Sequence, residues 1–166
     1  MTSADKSGPP RHASDSLEQR EAESAVLELV QAKLGCALVP ESFSIGDGVS
    51  VKLDGINRDR HVLCEIYCRI GRLKGSQPDK VAADMLKLVL VERALGGQWQ
   101  KLICFADNDA AKSFRGKSWL AAAVTRMGFE ILVVELPAEV REQLIAAQRR
   151  QVMVNQSNST SDDEDT

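Results

Sequence analysis

The chain has 166 residues, 43% of them hydrophobic, and a formal net charge of −3. That length and apolar content fit one domain with a proper core, and aromatics at only 4% leave Leu, Val, Ile and Ala to fill it. Asp162, Asp163, Glu164 and Asp165 close the chain; without them the remainder is near neutral, which excludes a strongly basic nucleic-acid-coating protein.

Residues 1–15 are rich in Ser, Pro and charge and are expected to be disordered, with no apolar stretch for a signal peptide. Nothing further along is apolar for long enough to span a bilayer. Ser16-Leu17-Glu18-Gln19 reads as a capping box that opens a first helix, ended by Gly35. Leu27, Val30 and Leu34 form its apolar stripe, and Glu23 continues that line one turn earlier. A carboxylate on a buried stripe needs a partner or a metal ion; at a solvated helix start it is simply favoured by the macrodipole. Glu21 stands next to it. After Pro40, Phe43 and Ile45 indicate a short strand, broken at Gly46-Asp47-Gly48.

Val49, Val51 and Leu53 alternate with Ser50, Lys52 and Asp54, and Val62, Cys64, Ile66 and Cys68 alternate with Leu63, Glu65 and Tyr67. A period of two marks both as strands. Asn57-Arg58-Asp59-Arg60 between them is a polar turn. A four-residue loop there pairs Ile56 with His61, Asp54 with Leu63 and Lys52 with Glu65, which makes Asp54 and Glu65 diagonal neighbours on one face. Two carboxylates that close repel unless a cation lies between them, and an all-oxygen set suits magnesium, manganese or calcium. In the plainer alternative Asp54 caps the strand end and Glu65 pairs with Lys52.

Arg69, Arg72 and Lys74 lie on a glycine-containing loop that, with Arg58 and Arg60, offers phosphate contacts or simply solvates the surface. A second helix is expected from Pro78 to Gly96, burying Val81, Met85, Leu88 and Leu95. Gln77, Lys80, Asp84 and Lys87 share another of its faces. Lys101–Ala106 and 129–136 read as strands of a parallel pair with a helical crossover between them. Pro137 opens a last helix to Gln151, with Val140, Leu144, Ala147 and Gln151 on one side. The expected division is a domain over 16–151 and a disordered acidic tail over 152–166. Cys36, Cys64, Cys68 and Cys104 lack zinc-site spacing and read as reduced thiols of a cytoplasmic protein.

The succession Val-Lys-Leu-Asp54-Gly, turn, Val-Leu-Cys-Glu65-Ile-Tyr67, Gly71, Gln77, then Lys80, Asp84 and Lys87 resembles the PD-(D/E)xK superfamily, in particular bacterial members with an Asp-Gly, Glu-Ile-Tyr, Lys-x3-Asp-x2-Lys-Leu pattern. The resemblance covers about residues 17 to 137. It implies the restriction-endonuclease-like α/β fold, a central mixed sheet flanked by helices in the order αβββαβαβα. It also implies magnesium- or manganese-dependent hydrolysis of nucleic acid, DNA first, with Asp54 and Glu65 as metal ligands and Glu23 of the first helix joining them, and it leaves a homodimer open. The family's lysine two residues after the glutamate is Tyr67 here. Lys80 first, then Lys87, is therefore expected to do that lysine's work, with Lys52 a third contender; otherwise the fold binds a nucleic acid or protein without cutting, or is a structural scaffold if Asp54 and Glu65 lie on opposite sheet faces. Two other motifs compete. Gly116-Lys117-Ser118 looks like the end of a P-loop but has Ala111 in place of the required glycine. Phe105-Ala-Asp107-Asn-Asp109 resembles the Asp-x-Asp of Toprim domains, whose glutamate is followed by glycine, whereas Glu65 is followed by Ile66; helix capping also explains it.

Overall fold

The computed structural model describes residues 13–159 of the chain. Helix α1 (Ala13–Leu34) leads into strands β1 (Val39–Gly46), β2 (Val49–Asn57) and β3 (Val62–Tyr67). Helix α2 (Gln77–Leu95) follows, then β4 (Gln100–Phe105), the short α3 (Asn108–Ala111) with a 3-10 turn over Lys112–Phe114, α4 (Trp119–Arg126), β5 (Phe129–Val133) and α5 (Ala138–Ser159). The expected succession of helices and strands forms. The expectation for residues 1–12 and for 160–166 lies outside the described residues. Among the described residues no helix is long and apolar enough to cross a membrane.

The strands make one sheet in the order β1-β2-β3-β4-β5. β1, β2 and β3 are antiparallel neighbours, while β3-β4 and β4-β5 are parallel. The β3-α2-β4 and β4-α4-β5 crossovers step the same way along the sheet, and α2 and α4 share one face, as crossovers of one hand require. There Val81, Met85, Leu88, Val91, Leu120 and Val124 pack on Leu53, Leu63, Ile103 and Phe129. The opposite face carries α1 and α5, whose Ala22, Val26, Val30 and Leu144 cover Val62, Cys64, Leu102 and Cys104. β3 and β4 are therefore covered on both sides, which is why their residues are apolar at successive positions. Cys64 and Cys104 are buried free thiols, their sulfurs 3.4 Å apart on neighbouring strands.

Several boundaries differ from the sequence expectation. Ser16 lies inside α1 rather than at its cap, and α5 runs to Ser159 rather than Gln151. β1 starts at Val39 and β5 ends at Val133. In α2 it is Val91, not Leu95, that completes the fully buried stripe. The β1–β2 connection is a two-residue Asp47-Gly48 turn with φ of 52° and 75°, the geometry that matches the strand twist and favours Asp-Gly.

The β2–β3 hairpin has a different register from the one expected. Asn57 pairs with Val62 and Ile56 with Leu63, so the loop is Arg58 to His61. Asn57 stays in the strand, and its Oδ1 accepts the Arg60 N–H at 2.8 Å. His61 takes a positive φ of 53° and stacks on Trp99 at 4.8 Å. The slip is two residues, so every side chain keeps its face.

Candidate active site

Asp54 sits on a bulge. Val39 pairs with Ile56 and Glu41 with Leu53, so Asp54 and Gly55 together oppose the single residue Pro40. Pro40 has no N–H to offer a ladder, and a bulge on an edge strand is where a sheet tolerates it. The ladder with β3 stops at Gly55↔Cys64. Beyond it the Ile66 N–H, which points along the sheet toward β2, is accepted by Asp54 Oδ2 at 2.9 Å. A side-chain oxygen thus replaces a backbone carbonyl in the seam where β2 and β3 part. The seam opens on the α1 side into a pocket of about 240 Å³ lined by Glu23, Lys52, Asp54 and Ile66, with Pro40 and Leu27.

Glu65 faces the other way, toward α2. It is 3% exposed, and its Oε2 lies 2.9 Å from Lys87 Nζ. The same ammonium reaches Asp84 Oδ1 at 3.0 Å, and the Tyr67 hydroxyl donates to Asp84 Oδ2 at 2.5 Å. Oε1 of Glu65 is buried without a hydrogen-bond partner. Burial, then the charge of Asp54, push the Glu65 carboxyl up to about 8, against the pull of Lys87. For Lys87 burial works to lower the pKa, but its hydrogen bonds to Glu65 and Asp84 outweigh that and raise it, so the ammonium stays charged. Burial and the bond to Asp84 raise the Tyr67 phenol well out of the physiological range, which leaves it a donor and never a base.

The expectation that Asp54 and Glu65 share one face is therefore corrected. The bulge turns Asp54 toward the α1-side pocket while Glu65 points to α2, so the two side chains leave the sheet on different faces, although the charge of Asp54 still reaches Glu65. Of the lysines on α2, Lys87 reaches Glu65, whereas Lys80 is exposed. Lys52 is exposed and shares the Asp54 pocket. The buried stripe of α1 is Ala22, Val26 and Val30, so Glu23 is not a buried carboxylate. It is exposed, accepts from Gln19 at 3.0 Å, and lines the Asp54 pocket from above. Glu21 is exposed as well.

The other motifs are engaged in structure. Arg58 is bonded to Glu41 at 2.5 Å, and Arg60 is exposed. Asp107 accepts from the Gly71 N–H at 2.8 Å and from Arg141 at 3.2 Å; Asp109 pairs with Lys112 at 2.5 Å. Ser118 caps α4 by accepting the Ala121 N–H. The sequence reading did not anticipate the Tyr67–Asp84 bond. A tyrosine on the same strand face as Glu65, facing the stripe that holds Asp84, was the available signal.

Two observations bear on whether a divalent cation fits these residues. Glu65 carries a buried oxygen with no donor, beside a second carboxylate whose charge already disfavours its ionisation. Among the described residues no three His, Cys, Asp or Glu side chains converge as a complete metal cage. No family model, no curated protein and no solved structure matches the chain.

Proposed function

We propose that the chain is a nuclease-like domain of the PD-(D/E)xK type that hydrolyses phosphodiester bonds of nucleic acid, with Asp54 and Glu65 as ligands of magnesium or manganese and Lys87 beside them. The observation that supports this reading is Glu65: a carboxylate buried in the sheet with one oxygen unpartnered, within reach of the Asp54 charge and 2.9 Å from a lysine. Such a group is costly in an apo domain and becomes useful once a cation completes its coordination. When bound, the ion would activate water and neutralise charge at the scissile phosphate.

The chain's own residues divide the remaining work. Asp84 and Glu65 hold the Lys87 ammonium between them, pre-set to hydrogen-bond an attacking water or the charge developing on phosphate. Tyr67 holds Asp84 and so positions Lys87 at one remove. Lys87 from α2 in this way supplies the charge that the family motif draws from the position of Tyr67. Glu23, on the rim of the Asp54 pocket, is an outer-sphere partner through water; Lys80 is left to substrate contact at most. The Toprim alternative is not favoured, since both oxygens of Asp107 are spent on Gly71 and Arg141.

The test is cleavage of single- and double-stranded DNA with manganese by wild type, Asp54→Ala and Lys87→Met. Expected are metal-dependent cleavage by wild type, its loss in Asp54→Ala, and a drop of about 100-fold in Lys87→Met. Equal activity in all three refutes the assignment. A second reading, a domain that binds nucleic acid or protein without cutting, is favoured by Tyr67 in the motif's lysine position; manganese calorimetry without heat of binding would select it.

A further inference from the structure

The chain leaves β3 through Arg69 to Lys74, and α5 closes over that segment. Gln148 of α5 bonds both backbone groups of Ile70: its Oε1 accepts the N–H at 2.9 Å and its Nε2 donates to the carbonyl at 3.1 Å. The next residue, Gly71, donates its N–H to Asp107 Oδ2 at 2.8 Å, and Arg141 of α5 holds the other Asp107 oxygen. Two successive residues are thus anchored to the body of the fold, which a merely solvated basic loop would not need.

Between this segment and α5 lies a cavity of about 560 Å³, within the size range of small-ligand sites. Arg69, Arg72, Lys74 and Arg149 line it, no carboxylate does, and Ile70 and Ile145 form an aliphatic wall. Arg69 is a lining residue whose Nε is itself buried without an acceptor. Gathering four cations and burying a guanidinium N–H unpaired both cost free energy. An oxyanion offsets both costs, and the guanidinium fork matches phosphate in particular. The cavity also lies just past the carboxyl end of β3, the side of a parallel sheet where ligands are held.

We propose that this pocket binds a phosphate ester, with Arg69 and Arg72 on the phosphate oxygens and the attached sugar and base against Ile70 and Ile145. Two sources share that chemistry, a free nucleotide and a nucleic-acid strand. Assignment to a strand rests on the nuclease reading above; the phosphate site does not.

The experiment measures binding of a labelled single-stranded 12-mer by anisotropy, and of AMP and inorganic phosphate by calorimetry, all on the full chain in EDTA. The proteins are wild type, the double variant Arg69→Gln/Arg72→Gln and the exposed-site variant Arg149→Glu; circular dichroism checks that each is folded. Expected is at least a 10-fold loss of oligonucleotide affinity in both arginine variants, with a salt dependence shallower by about one in log–log slope. Manganese binding in the arginine variants, measured separately by calorimetry without EDTA, is unchanged. AMP affected by the arginine changes while the 12-mer is not also supports the pocket and names the free nucleotide as its ligand. The proposal is overturned if wild type binds none of the three ligands at low salt, or if both arginine variants bind all of them as wild type does. Absence of manganese binding by wild type without EDTA, together with arginine-dependent DNA binding, would remove the nuclease reading alone.

Discussion

Replacing Glu65 by glutamine takes a titrating group out of the sheet interior while keeping its volume and an oxygen for Lys87. The folded-state pKa of about 8 lies above the ordinary 4.5, so the folded chain holds a proton that the unfolded chain releases. That contribution to stability is complete below about pH 4.5 and is lost as pH rises through about 8. At about 1.4 kcal/mol per pH unit, wild type forfeits about 3 kcal/mol by pH 7 that Glu65→Gln keeps. Urea unfolding of both proteins in EDTA from pH 5 to 8 measures this, and the readout is the change in their difference across pH, which cancels titrations common to both. The expected difference grows from under about 1 kcal/mol at pH 5 to about 3 kcal/mol near pH 7 in favour of glutamine. A difference that ignores pH refutes the reasoning. A wild type that gains on the variant as pH rises refutes it more pointedly, because the Lys87 ion pair would then outweigh burial and the Asp54 charge.

Three further outcomes follow from the packing. Gly55→Ala places a Cβ 3.1 Å from Leu38 Cβ and 3.5 Å from Cys64 Cβ, between α1 and the sheet, and should cost about 1–2 kcal/mol in denaturant unfolding. Lys101 is 5% exposed and bonded to Glu92 at 2.6 Å. Glu92→Ala, which leaves a buried ammonium unpaired, should therefore cost about 3 kcal/mol and clearly more than Lys101→Met; the reverse order would mean that Lys101 escapes to water. Tyr67→Phe removes the donor to Asp84 and should cost about 1 kcal/mol. If the domain cleaves DNA, it should also lower kcat several-fold with little change in KM; an unchanged kcat would take Tyr67 out of the positioning of Lys87.

Element types were legible because they rest on local periodicity: two for β2 and β3, three to four for α2. The same face that carries Asp84 and Lys87 could be read from spacing alone. What escaped depends on residues distant in sequence. The hairpin register was fixed by the Asn57 side chain capping the turn and by His61 stacking on Trp99, a partner from beyond α2. The phase of α1 was misjudged because its buried line uses Ala22, a residue that carries little hydropathic signal, so Glu23 seemed to lie on it. Asp54 stood out in the sequence, yet its direction depends on Pro40 opposite, and a proline after a helix reads only as punctuation. The anchoring of Ile70 by Gln148 joins residues 78 positions apart, and nothing in either neighbourhood announces it.

The extra residue in β2 splits that strand into two reading frames. Before it, odd-numbered side chains such as Val51 and Leu53 pack toward α2; after it, the even-numbered Ile56 does. Deleting Gly55 would restore an unbroken alternation and close the seam, handing the Ile66 N–H back to a main-chain carbonyl. One missing codon in that strand would leave the hydrophobic interior almost intact while erasing the opening in which the aspartate stands, so at this place the frame of the strand matters more than the identity of its neighbours.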